Sequence, residues 1–566
     1  MKRRYEPRPG PAQPAGLSGR PGLVALLTAG LLMAVTVPAS ALTAPAASQT
    51  RAPAQAAVVK PVMSCSSLTG RGFAAGPGTP GKITSARLVT RKPWIKDVTF
   101  CYVQGVFAPQ TKFHLMLPVS TWRGQYVQMG CSTLCGTVPQ LGFPDTAFTC
   151  AYVHNGNLAM GADNMGHSGG PADGKWAQNS LRLRVVFGLT SEDSLDQLAK
   201  AVMTAYYGQP PGYSYYDGCS TGGREALMLA QRYPDDFNGI IAGSPVMNMA
   251  PLSALFATWL VRSNTAPDGH QILTAQNIPA LHAAVIRACG SEGGAGGGRG
   301  IIADPRKCAF NPASIECPAG HQSSSCLTPA QVTTVREFYR GPTDPQGQSL
   351  YNGGEPYGSE LGWAGNFVMP ASDQSAPASS PEARLALNYL KYMGFLPNPP
   401  ASFTLADVPF TAQEFAKVDQ LGNLLYNAND PDLRAFAAHG GKLIMYHGWA
   451  DQLVPPWSTL DYYAAVERDA GGYQASQSFS RLYMVPGGYH CLFGPDYTTM
   501  STADFLGKLI GWVQNGTAPG PVAANTLSLT TRKIIQYQTV SPYNALAPVT
   551  PAKGSLNGHY DYIGRY

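Results

Sequence analysis

The spacing of apolar residues changes twice along this chain. From residue 65 to 130, short runs of β-branched and aromatic residues are broken by Pro or Gly, the pattern of strands. Residues 97–107 (DVTFCYVQGVF), 112–119, 125–129 and 158–162 are predicted strands. The period then lengthens. Residues 191–207 (SEDSLDQLAKAVMTAYY) carry apolar positions at helical spacing behind a Ser cap and an acidic first turn. A strand at 213–216, an amphipathic helix at 224–233 closed by Pro234, and a strand at 239–242 follow. Strands alternating with helices predict a mostly parallel α/β sheet.

From about residue 245 to 429 the alternation stops. This stretch holds long helices, a glycine-rich run at 293–300, a Ser/Pro/Ala loop at 371–381 and four cysteines. Sheet-like runs resume at 441–446 (GKLIMY) and 481–485 (RLYMV), and 531–540 is strand-like. The expected organisation is a domain in two parts, 65–244 and 430–566, around an inserted lid domain at 245–429. About 500 residues exceed what one ordinary core supports, which agrees with a main domain plus a large insertion.

The first 41 residues read as a secretory signal. Lys2, Arg3, Arg4, Arg8 and Arg20 precede an apolar run at 23–37, and Ala39-Ser40-Ala41 supplies small residues for cleavage. The run is short for a bilayer span, which needs about 20 residues. An Ala/Pro/Gln-rich linker follows, to residue 64. Cleavage would lower the formal net charge from +6 to +2, so the basic balance belongs mostly to the signal. With 13% charged residues and no basic stripe, nothing argues for a nucleic-acid partner. The expectation is a secreted protein, off the membrane once cleaved, with its oligomeric state open. Eleven cysteines in an exported chain predict disulfides, with at least one thiol left over in a monomer.

The chemistry concentrates at Gly218-Cys219-Ser220-Thr221-Gly222. Gly-x-Ser-x-Gly between a strand and a helix is what a nucleophile elbow requires: a sharp turn lifts the serine oxygen above the sheet. Ser220 is the expected nucleophile. In the chain order Ser, acid, His, the acid should end a strand and the base should follow the next. Asp451 follows GKLIMYHGWA, and His490 follows RLYMV and a Pro-Gly-Gly-Tyr turn. His490 would take the serine proton and Asp451 would orient the imidazole. His447, earlier on the same strand, reads as structural. The oxyanion hole needs two backbone N–H donors. Thr221 should give one and Cys131, in the loop after the strand at 125–129, the other. Cys219 and Cys491 flank nucleophile and base; they form either a bridge between the two catalytic loops or two buried free thiols.

These residues together resemble the tannase and feruloyl esterase family, which also includes hydrolases of mono(2-hydroxyethyl) terephthalate. The resemblance rests on Cys219-Ser220, Asp451 and His490-Cys491, with GCSTGGREAL (218–227), QRYPDDFNGIIAGSP (231–245), NDPDLRAF (429–436), GGKLIMYHGWADQLVPP (440–456) and PGGYHC (486–491). It implies an α/β-hydrolase fold with a lid, and esterase activity on small aromatic acid esters such as feruloyl or galloyl esters. It also implies the bridges Cys65–Cys101, Cys219–Cys491, Cys289–Cys308 and Cys317–Cys326. Cys131, Cys135 and Cys150 would then share one bridge and one free thiol.

The family often carries an Asp-rich calcium loop where this chain reads ACGSEGGAGGGRGIIADP (288–305), whose acids are Glu292 and Asp304. Calcium prefers six to eight oxygen ligands, carboxylates among them. The site is therefore expected to be lost, leaving no metal or other cofactor. In the lid, Tyr351, Tyr357, Trp363 and Phe367 suggest an aromatic wall for the acyl group, with Glu360 as a polar group within it. Residues 341–383 contain no Arg or Lys to hold a terephthalate carboxylate, so neutral phenolic esters are the expected substrates. The competing readings are a terephthalate monoester hydrolase, an acyltransferase of the same fold and a binding module on a hydrolase fold.

Overall fold

Ten strands form one sheet: β1 (Gly72–Ala74), β2 (Pro80–Arg91), β3 (Val98–Phe107), β4 (Thr111–Pro118), β5 (Gln125–Met129), β6 (Leu158–Asp163), β7 (Tyr213–Cys219), β8 (Gly239–Gly243), β9 (Lys442–Gly448) and β10 (Ser480–Val485). The computed structural model describes residues 57–91, 97–141, 149–290 and 300–557. The expected signal at 1–41, the linker up to residue 56 and most of the glycine-rich run lie outside the described residues.

The strand order is β1-β2-β3-β4-β6-β5-β7-β8-β9-β10. β5 to β10 are parallel, whereas β1 to β4 run antiparallel and β4 meets β6 antiparallel. The sheet is thus mixed rather than mostly parallel. The connections explain the difference: residues 108–110 alone join β3 to β4, room for a turn but not for a crossover helix.

Alternation along the parallel strands builds a core on each face. Tyr216, Ile240, Leu443, Met445, Leu482 and Met484 join one cluster, with the helices Ser191–Tyr207, Thr221–Arg232 and Trp457–Asp469. Their neighbours Tyr215, Ile241, Ile444, Tyr446, Tyr483 and Val485 join another, with the helix Phe505–Asn515. Period-two side chains buried on both faces produce the unbroken apolar runs of these strands.

Among the described residues between β8 and β9, no strand joins the main sheet. The insertion is helical, including Ile278–Cys289, Pro329–Arg340, Pro381–Tyr392 and Ala412–Leu425, around a third cluster that Leu134, Met165, Phe187 and Val454 of the main domain also join. At the C-terminal end, Ile534–Gln536 and Thr539–Val540 lie in two small separate sheets instead of extending the large one. Five disulfides join Cys65–Cys101, Cys131–Cys135, Cys219–Cys491, Cys289–Cys308 and Cys317–Cys326, and Cys150 is a buried free thiol. No helix among the described residues is long and apolar enough to cross a membrane.

Candidate active site

β7 ends at Cys219 and the helix begins at Thr221, so Ser220 makes the whole turn. Its backbone sits at φ 63° and ψ −122°, a left-handed conformation that costs a non-glycine residue about 1–3 kcal/mol. The surroundings hold it there. The Ser220 N–H donates to Gly243 O at 2.9 Å, and Ser220 O accepts from Arg224 N–H and Val246 N–H, each at 3.1 Å. The flanking glycines are required by contact: a Cβ on Gly218 would lie 2.5 Å from Gly222 O. The helix starts three residues earlier than its apolar period suggests, because Gly222 and Gly223 fill its first turn where the chains pack closely.

Cys219 and Cys491 are bonded, with Cα atoms 5.8 Å apart, so the elbow is tied to the turn carrying His490. His490 Nδ1 lies 3.0 and 2.9 Å from the two carboxylate oxygens of Asp451. Both are acceptors, so Nδ1 carries the proton and Nε2 is left as a base. Asp451 is fully buried. Burial alone would push its pKa up, but His490 and His447 hold it well below the ordinary carboxylate range. Its Oδ1 accepts the N–H groups of Leu453 (3.0 Å) and Val454 (2.9 Å).

His447 is buried on the far side of the same carboxylate. Its Nε2 is 3.2 Å from Asp451 Oδ2 and 2.8 Å from Val454 O, while Nδ1 is 2.8 Å from Thr459 Oγ1. With two acceptors at Nε2, the proton sits there and Nδ1 accepts from the threonine hydroxyl. His447 therefore props Asp451 and does not reach Ser220's cavity.

That cavity has a volume of about 870 Å³. Ser220, Thr221, His490, Ser132 and Thr133 line it, together with Val246, Met249, Leu252, Leu385, Leu453 and Phe493. Thr221 is the first helical residue, so its N–H has no intrahelical acceptor and is available to an anion.

Cys131 does not serve as the second donor. Its N–H points away from the cavity, to Glu225 Oε2 at 3.1 Å. Glu225 lies on the elbow helix, also accepts the Tyr216 hydroxyl at 2.9 Å, and docks the whole loop from below. The Cys131 carbonyl accepts the Gly222 N–H at 2.9 Å, and Thr221 Oγ1 donates to Thr133 O at 2.6 Å. The next residue, Ser132, is exposed and faces the cavity. A buried glutamate one turn into the elbow helix was the signal for this arrangement.

The expected acyl-pocket residues are elsewhere. Trp363, Tyr357, Glu360, Tyr351 and Phe367 are buried, and none lines the Ser220 cavity. The aromatics pack the third core cluster. Trp363 Nε1 donates to Glu355 Oε2 at 3.0 Å, and Glu360 pairs with His282 at 2.7 Å and accepts the Tyr339 hydroxyl at 2.8 Å. The insertion reaches the cavity instead through Val246, Met249, Leu252, Ser253 and Asn366 and through the helix Pro381–Tyr392, with Glu382 buried and Arg384 exposed. Arg384 stands one residue beyond the stretch free of cations.

Among the described residues, Cys131, Cys135 and Glu225 form a grouping of metal-ligand type. The two sulfurs are bonded to each other, so neither is a thiolate that could ligate. In the segment resembling the calcium loop, Glu292 lies outside the described residues. Asp304 is held by Arg306, whose Nε and Nη2 donate to its two oxygens at 2.9 and 2.8 Å. The described residues there do not fit a calcium cage.

A family model described as tannase and feruloyl esterase matches residues 96–558. The chain is 30% identical over 462 residues to an uncharacterised esterase of Xanthomonas campestris pv. campestris, covering 75% of this chain and 77% of that one. It is 28% identical over 490 residues to the mono(2-hydroxyethyl) terephthalate hydrolase of Piscinibacter sakaiensis, covering 75% and 78%. Feruloyl esterase B of Aspergillus niger matches at 27% over 455 residues, covering 76% and 80%. The crystal structure of feruloyl esterase B from Aspergillus oryzae superposes with a TM-score of 0.68 at 23% identity, covering 82% of this chain and 92% of that one. Tannin acyl hydrolase from Aspergillus niger gives 0.62 at 19%, covering 84% and 91%. At these identities the structural likeness speaks for the fold, that of the α/β-hydrolases.

Proposed function

Since the chain belongs to the tannase and feruloyl esterase family and is a carboxylic ester hydrolase, we propose that it is an exported serine esterase acting on esters of aromatic, phenolic acids. The reading is carried by Ser220: a strained residue at a strand-to-helix turn, in one cavity with a His490 whose Nδ1 is fixed by Asp451. In this mechanism His490 Nε2 removes the Ser220 proton as Oγ attacks the ester carbonyl. The oxyanion takes the N–H groups of Thr221 and Ser132. His490 then protonates the departing alcohol, and water activated by the same imidazole cleaves the acyl-enzyme. The helical insertion acts as a lid that supplies part of the acyl pocket. Five disulfides support export.

A second reading, hydrolysis of terephthalate monoesters, is favoured by Arg384 on the cavity lining, since a guanidinium can hold a carboxylate in a two-point contact. The deciding experiment measures kcat/KM for methyl ferulate, methyl gallate and a terephthalate monoester with the wild type and with Ser220→Ala. We expect the phenolic esters to be preferred and the variant to be inactive on all three. Near-native turnover by Ser220→Ala would overturn the serine mechanism, and a preference for the monoester would overturn the substrate class.

A further inference from the structure

Glu382 is the second residue of the helix Pro381–Tyr392, a place where a carboxylate ordinarily sits in solvent and complements the helix dipole. Here it does neither. The capping acceptor is Ser380 Oγ, which takes the Ala383 N–H at 3.2 Å. Glu382 is only 9% exposed, and what it faces is the cavity of Ser220 and His490. Its backbone N–H donates to Asn366 O at 3.2 Å, yet its carboxyl takes no hydrogen bond from any described residue.

Its oxygens are not sealed in protein, as Glu355 Oε1 is, but open on the cavity, where a ligand can reach them. Burial pushes the Glu382 pKa up to about 7, the charge of His490 pulling the other way. Tyr497 and Glu355 also feel its charge, and neither is a cation. Arg384 follows on the same turn but is exposed. Met249, Leu252, Leu385 and Phe493 give the cavity that Glu382 faces an apolar wall, with Ser253, Asn366, Arg384 and Asn388 among its polar lining. A flat ring fits the apolar part, and the Glu382 carboxyl offers it an acceptor.

We infer that Glu382 selects the acyl group of the substrate, its carboxyl oxygen accepting a hydrogen bond from a ring hydroxyl and opposing a free carboxylate at that place. This rests on the reading above of an esterase for phenolic acid esters and assigns recognition of the ring hydroxyl to one residue. A carboxyl group keeps an acceptor oxygen whether or not it is protonated, so the contact survives across neutral pH. A ring carboxylate would instead meet a like charge above about pH 7, or have to share a proton below it. Glu382 is a specificity residue and takes no part in the bond changes at Ser220.

The test is a matched ester series: methyl benzoate, methyl 4-hydroxybenzoate, methyl gallate and monomethyl terephthalate, with the wild type, Glu382→Ala and Glu382→Gln. We expect the wild type to prefer methyl 4-hydroxybenzoate over methyl benzoate by tenfold or more in kcat/KM, the scale of one hydrogen bond to a charged group. Glu382→Ala should collapse that ratio at least tenfold. Glu382→Gln, which keeps an acceptor oxygen and loses the charge, should retain part of the ratio and gain on monomethyl terephthalate relative to the wild type. Losses equal for hydroxylated and plain esters in the Gln variant would mean that Glu382 acts through His490 or the fold, and would overturn the proposal. So would an active wild type with no preference for the hydroxyl. A wild type inactive on all four esters would overturn the esterase reading itself.

Discussion

Ser220, His490 and Asp451 act as one unit in the mechanism proposed here, so removing either of the first two should cost about the same. Ser220→Ala and His490→Ala should each lower kcat by about 10⁴-fold or more with the fold intact, checked by active-site titration beside circular dichroism. A His490→Ala enzyme within tenfold of the wild type would mean that another base serves Ser220. The placing of Ser220 and His490 on one cavity, with Asp451 against His490, was legible because each ends a strand or turn whose residues announce it: small residues around Ser220, GKLIMYHGWA before Asp451, Pro-Gly-Gly-Tyr before His490. Cys131 was misread because its neighbours in sequence do not reveal which way its N–H faces. That is set by Glu225, which reaches it from another element. Glu382 is illegible in the sequence for a related reason: a glutamate after Ser-Pro looks like an ordinary helix start.

At the scale of elements, the strands were legible as short β-branched and aromatic runs broken by Pro or Gly, and the elbow helix from its apolar period. The lid aromatics were not, because Trp363, Tyr357 and Phe367 in sequence look the same whether they line a cavity or fill a core. Here Trp363, Phe338 and Phe367 pack against one another, with ring centroids 5.3, 5.4 and 6.0 Å apart. The two loops that carry Ser220 and His490 come from β7 and from the turn after β10, and the Cys219–Cys491 bond fixes their separation. Replacing both cysteines with Ala should lower stability by about 2–5 kcal/mol, read by urea denaturation, and lower kcat at the same time. Unchanged kcat in a folded double variant would show that packing alone positions the triad.

For the whole molecule, buried acids set the response to pH. Glu192 and Glu225 are pushed up by burial, and Glu382 is pushed up to about 7. Between about pH 4 and 7 the native state therefore binds more protons than the unfolded chain, and stability falls as pH rises through that window. Asp451 works in the opposite sense. Held below its ordinary value, it contributes stability that is present above about pH 4 and lost below it. Tm should thus be highest near pH 4 and fall by several degrees by pH 8; a maximum at pH 8 would refute the assignment. Calcium chelation should leave Tm and activity unchanged, since Asp304 is already taken by Arg306; a fall in Tm reversed by added calcium would contradict this. Of the five disulfides, Cys219–Cys491 alone joins the chain before the insertion to the chain after it. A protease cut at a single peptide bond within the insertion would leave two fragments travelling as one species on a gel, until a reductant released the C-terminal piece with its histidine from the piece that keeps the serine.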